Sequence, residues 1–289
     1  MDNTPHFPGR VRSVLDQPPS PANSADSTID AVSALSGRDR IVVWGALTAI
    51  VVLAWGYLYW LDAQMAAMSG EPAMREAMAG SRPWSAAEAL FTFAMWVIMM
   101  AGMMALSAAP VLLLFTAMQA RRAEGSAPLA AFAFGVGYLC IWIGFSALAT
   151  AAQWALQQAG ALSPDLAIAG SRAGGAILVA AGAWQFTPWK DACLRHCQSP
   201  LGFLMTRWRA GRLGALRMGM SHGLYCLGCC WALMCVLFVV GVMNLLWIAI
   251  LTLFVLLERA GTTGRFLARI GGIALIGAGV LMLAGAAQG

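Results

Sequence analysis

Charge is what this sequence has least of. Charged side chains make up 11% of its 289 residues, against about 25% in a soluble domain, which excludes an ordinary water-facing globule. Other absences narrow the function. No phosphate-cradling glycine loop and no nucleotide domain are present, so any transport is expected to be passive, ion-coupled or dependent on partners. No RNA- or DNA-binding motif accompanies the net charge of +5, and nucleic acid is not expected as a partner. The N-terminus has no apolar core of a cleaved signal peptide. Nothing resembles the oxygen-rich ligand sets of calcium or magnesium. No carboxylate falls inside an apolar run, since Glu88 and Glu258 stand at the ends of theirs.

Apolar residues fill the space that charge leaves. They make up 60% of the chain, with 31 glycines, as expected where membrane helices approach closely through small side chains. About 20 apolar residues cross a bilayer core. Seven runs qualify, at roughly 41–61, 87–117, 128–152, 166–187, 214–240, 242–258 and 266–286. Only Gly241 to Asn244 part the fifth run from the sixth. That short stretch reads as a turn, because the unbroken helix would be about 67 Å long. In lipid the backbone must satisfy its own hydrogen bonds, so the runs are helices. The expected fold is an all-α, polytopic integral membrane bundle of about seven transmembrane helices over 41–289. Residues 1–40, polar and rich in Pro and Ser, read as a disordered cytoplasmic tail.

The basic residues set direction. Arg38 and Arg40 precede the first run, Arg121 and Arg122 follow the second, and Arg259, Arg265 and Arg269 lie around the link from sixth to seventh. Lys190, Arg195, Arg207, Arg209, Arg212 and Arg217 crowd the link from fourth to fifth. The alternate links are poor in basic residues. The N-terminus is therefore expected in the cytoplasm and the C-terminus outside.

Chemistry concentrates in the fifth run, which contains "HGLYCLGCCWALM". With about 100° per residue and His222 as origin, Cys229 lies near about −20°, Cys226 near about +40° and Cys230 near about +80°. One imidazole and three thiols thus share a face, with Met218 beside them. The second run, "AMWVIMMAGMMALSAAP", stacks Met95, Met99 and Met103 in one stripe at similar expected depth. Thiolate, thioether and imidazole together select a soft transition metal, Cu(I) first. Buried thiolates are costly unless a cation compensates them. A third element, "WKDACLRHCQSP", places Cys193 and Cys197 at i, i+4 after Lys190. There a cation is expected to lower a thiol's pKa and favour exchange of metal with a cytosolic carrier. Met65, Met68, Met74 and Met78, in and before the link from first to second run, offer thioethers that bind Cu(I) without deprotonation.

These stretches, with "TPWKDACLRHCQSP", "GMSHGLYCLGCCWALM" and "LLERAG", resemble a family of bacterial predicted metal-binding integral membrane proteins, grouped as a domain of unknown function. The resemblance covers about residues 85–285. It implies a polytopic membrane protein of the bacterial inner membrane, with Cys193, Cys197, Cys226, Cys229 and Cys230 as metal residues. It supplies no activity, and no catalytic residue is assigned. The leading expectation is a membrane protein that binds Cu(I) or another soft metal through Cys226, Cys229, Cys230, His222 and the Met95/Met99/Met103 stripe, and transports or delivers it. A second is a thiol–disulfide oxidoreductase using Cys226-x-x-Cys229. A third is a membrane assembly subunit without a ligand.

Overall fold

The computed structural model describes residues 37–68, 84–122, 126–163, 167–168, 171–259 and 263–288. Residues 1–36 of the expected tail, together with Met74 and Met78, lie outside the described residues. The described chain is all-α, as expected. Its helices are α1 (Gly37–Met68), α2 (Ala86–Arg122), α3 (Ala127–Gln158), α4 (Ser171–Trp184), α5 (Pro188–Gln198), α6 (Pro200–Arg207), α7 (Gly211–Val240), α8 (Leu245–Arg259) and α9 (Gly264–Gln288).

Helix boundaries follow local chemistry. Ser85 and Glu88 form a capping box at the start of α2: the Ser85 N–H donates to Glu88 Oε2 at 2.7 Å, and the Glu88 N–H donates to Ser85 Oγ at 3.2 Å. Prolines 188 and 200 open α5 and α6, where a missing N–H costs nothing. Thr187 caps α5 by accepting the Lys190 N–H at 3.3 Å. Between α7 and α8 the chain turns at Gly241 with φ of 97°, a value that favours glycine. Asn244 then accepts the Trp247 N–H at 3.3 Å. The turn expected from Gly241 to Asn244 is present.

The expected seven spans are reduced to five. Among the described residues, only α1 (over Gly37–Met65), α2, α3, α7 and α9 (over Gly264–Gly285) are long and apolar enough to cross a membrane. The fourth run is helical for only 14 residues and the sixth for 15, about 21 and 23 Å against a core of about 30 Å. The fourth run starts outside its helix, where Leu162 pairs with Ile168 in an isolated bridge. The sixth ends at Arg259. Hydropathy counts apolar residues, and these two runs are apolar without being long helices.

α7 is the central element. It packs most extensively along α3 and also meets α4, α5 and α8, while α4 lies along α9 and α2 along α3 and α1. The α3–α7 contact is close because neither helix has a side chain at its crossing. A Cβ on Gly219 would strike the Phe134 carbonyl, and one on Gly137 the Leu216 carbonyl. Small residues at such crossings let backbones meet and gain dispersion contacts.

A Gly219→Ala variant is expected to separate α3 from α7 and to lose its single elution peak in mild detergent. Gly135→Ala, on a part of α3 where a Cβ meets nothing within 4 Å, is expected to elute as the wild type does.

Candidate metal centre

The α7 stripe is buried as a unit. His222, Cys226, Cys229 and Cys230 are each 1% exposed or less, and Met218 beside them is equally covered. The opposite face is different: Met220 is exposed and Cys235 half-buried. All seven cysteines are free thiols.

What Cys226, Cys229 and Cys230 share is one nitrogen. Arg259 Nη2, at the end of α8, donates to Cys226 Sγ at 2.9 Å and to Cys229 Sγ at 3.3 Å, and lies 3.9 Å from Cys230 Sγ. The Cys229 and Cys230 thiols also donate to the Cys226 carbonyl, at 3.1 and 3.0 Å. From α3, the Tyr138 hydroxyl meets Cys226 Sγ at 2.9 Å and donates to the Met104 carbonyl of α2 at 3.1 Å. Sulfur atoms that converge on a cationic nitrogen are also the atoms that can converge on a soft metal cation. Among the described residues, no three His, Cys, Asp or Glu side chains stand ready-made to hold a metal ion; the sulfurs face the guanidinium.

Cys193 and Cys197 join this group. The Cys197 thiol is hydrogen-bonded with Cys229. Cys193 Sγ sits over Gly228, where a Cβ would approach it to 2.7 Å. The glycine of Cys226-Leu-Gly-Cys229 is therefore the opening through which α5 brings its thiol against α7. The sequence placed these two cysteines at a separate station. The structure brings α5 alongside the middle of α7, so five thiols form one cluster.

Lys190 does not act on Cys193 and Cys197 as expected. Its ammonium donates to both carboxylate oxygens of Glu258 at 2.8 Å and to Gln185, and both ions of the pair are buried. Burial, and next the neighbouring Cys229, push the Cys193 thiol above its ordinary range. The ion pair instead ties α5 to the end of α8. Gln198 reinforces the tie by donating to the Glu258 carbonyl at 2.9 Å.

His222 sits in an aromatic box, with ring centroids 5.3 Å from Phe203, 5.8 Å from Tyr138 and 6.1 Å from Phe134. Neither ring nitrogen has a hydrogen-bond partner among the described residues. A buried unpaired imidazole is costly unless something else engages it. Met95, Met99 and Met103 are buried in the same apolar cluster as the thiols. Helix α2 packs little directly on α7, and Tyr138 stands between Met104 and Cys226. Sequence reading missed Arg259, Tyr138 and Glu258. The signal for two of them was the pair of adjacent charges closing "LLERAG".

A family model described as copper chaperone (PpoB2) matches residues 93–282. The chain belongs to this copper chaperone family. The match runs from α2 into α9 and contains every sulfur of the cluster. It gives the resemblance read from the sequence a function, copper handling, which that resemblance lacked. No curated protein and no solved structure matches the chain.

Two outcomes follow for a family member built this way. Lys190→Met alone is expected to cost about 3–5 kcal/mol by stranding a buried carboxylate. The double variant Lys190→Met with Glu258→Leu should recover most of that, read as unfolding in detergent. Gly228→Ala should drive Cys193 off α7 and speed its alkylation by N-ethylmaleimide at neutral pH, where burial keeps the wild-type thiol protonated.

Proposed function

We propose that this copper chaperone family member binds Cu(I) as cargo within the membrane and delivers it to a partner. The ligands are Cys226, Cys229 and Cys230 of α7, with His222 one turn below them. The observation that carries the reading is the convergence of three buried sulfurs on one cationic nitrogen. Thiolates select soft cations, and the unpaired His222 imidazole adds a borderline donor of the kind that suits copper. Met99 and Met103, with Met95 next to them, are thioethers in the same buried cluster and serve as a neutral second station.

Cys193 and Cys197 are the exchange station. Cys193 is only half-buried, and Cys197 touches Cys229. Copper then moves by ligand exchange: the bond to Cys197 breaks as the bond to Cys229 forms, the proton lost by the Cys229 thiol is taken up by Cys197, and copper stays Cu(I) throughout. A cytosolic metal carrier meets the protein at α5. This assignment places the basic link before α7 in the cytoplasm of a bacterial inner membrane, with residues 41–289 as one membrane domain. The oxidoreductase reading is weaker, because Cys226 and Cys229 are each 1% exposed or less and a protein disulfide cannot reach them.

The test is metal content after anaerobic purification. One copper per chain is expected, with the Cys226/Cys229/Cys230→Ser triple variant losing it through an affinity drop of more than about 100-fold. Met99→Leu with Met103→Leu should retain copper but release it more slowly to an acceptor. A metal-free wild type carrying a Cys226–Cys229 disulfide would overturn the proposal in favour of redox chemistry.

A further inference from the structure

Arg259 Nη2 occupies the point that Cys226, Cys229 and Cys230 have in common, at 2.9, 3.3 and 3.9 Å. A metal–thiolate bond is about 2.3 Å. An ion bonded to these three sulfurs would take the space of that nitrogen and would repel the guanidinium charge at short range. Ion and guanidinium cannot both be there.

The arginine is held in a way that lets it go. Its Nε and Nη1 have no hydrogen-bond partner among the described residues, although both are buried. All of its bonds to the thiols and to the Cys226 carbonyl run through Nη2 alone. A guanidinium fixed for good usually engages several of its five donors in a fork. Arg259 is also the last residue of α8, so its departure breaks no helix behind it. Glu258, one residue earlier, is anchored on Lys190 and keeps the rest of α8 in place.

We propose that Arg259 is the resident counter-cation of the metal-free site, and that Cu(I) loads by expelling its guanidinium, which releases the C-terminal end of α8. The inference rests on the copper reading and deepens it. Loading exchanges the guanidinium for the ion, and the S–H protons that Cys229 and Cys230 direct at the Cys226 carbonyl leave as the Cu–S bonds form. Unloading is the reverse: the guanidinium returns to the sulfurs as copper leaves for its acceptor.

Hydrogen–deuterium exchange of the full chain, anaerobic and in detergent, tests this with and without one equivalent of Cu(I). Bound copper is counted in the same samples. Exchange at the α8 amides from Val255 to Arg259 is expected to rise several-fold in the wild type on loading. Arg259→Met should bind Cu(I), exchange fast before loading and show no further rise. Arg259→Lys should restore both the slow metal-free state and the copper-triggered rise. Stoichiometric copper with unchanged or slowed exchange in the wild type would overturn the inference while leaving the copper reading intact. So would an Arg259→Met protein that folds but binds no copper. A wild type that binds no Cu(I) would instead sink the copper reading itself.

Discussion

Lys190 and Glu258 meet at 2.8 Å with 0% and 1% of their side chains exposed, and the arrangement of the thiols depends on that contact. Two ions removed from water are tolerated only when each satisfies the other. The pair fixes the first turn of α5 against the last turn of α8. Cys193 and Cys197, further along α5, then face α7, and Arg259, next to Glu258, then reaches the sulfurs. A single electrostatic contact thus sets the position of two thiols and of the cation that Cys226, Cys229 and Cys230 share.

Around this contact the helices arrange themselves by what each can hide. The glycines of α3 and α7 bring the two backbones together, which places Tyr138 within hydrogen-bond reach of Cys226. The aromatic box of Phe134, Tyr138 and Phe203 surrounds His222 with rings and offers its nitrogens nothing. Polar atoms in an apolar interior are expensive to leave idle. Here they gather on one face of one helix, inside the residues that the copper chaperone family model matches.

Much of the centre was legible in the sequence because helical phase is a local property. The spacing of His222, Cys226, Cys229 and Cys230 fixed their common face before any neighbour was known, and Gly241 and Asn244 announced the turn that follows. Relations between distant elements were not legible. A charge at the end of an apolar run reads as an interfacial anchor, so Arg259 looked like a topology signal and Lys190 like a cation acting on the nearby thiols. Cys193 and Cys197 looked remote because nothing local says that α5 folds back along α7; only Gly228 carries a trace of it. The count of spans failed for a related reason, since apolarity shows that a segment is buried and not how long its helix runs. Burial of Met95, Met99 and Met103 was foreseeable from composition, whereas the interposition of α3 was not.

The fifteen-residue length of α8 has a consequence beyond its failure to span. The helix starts from a glycine turn and ends where its final side chain meets the sulfurs of the arm it left. Sulfur and guanidinium therefore belong to one hairpin, and helix length acts as its ruler. One residue more in α8 would swing Arg259 by about 100° and carry it about 1.5 Å past the cluster. In such a segment length and phase are under the same constraint as chemistry, and a deletion there is equivalent to losing the arginine.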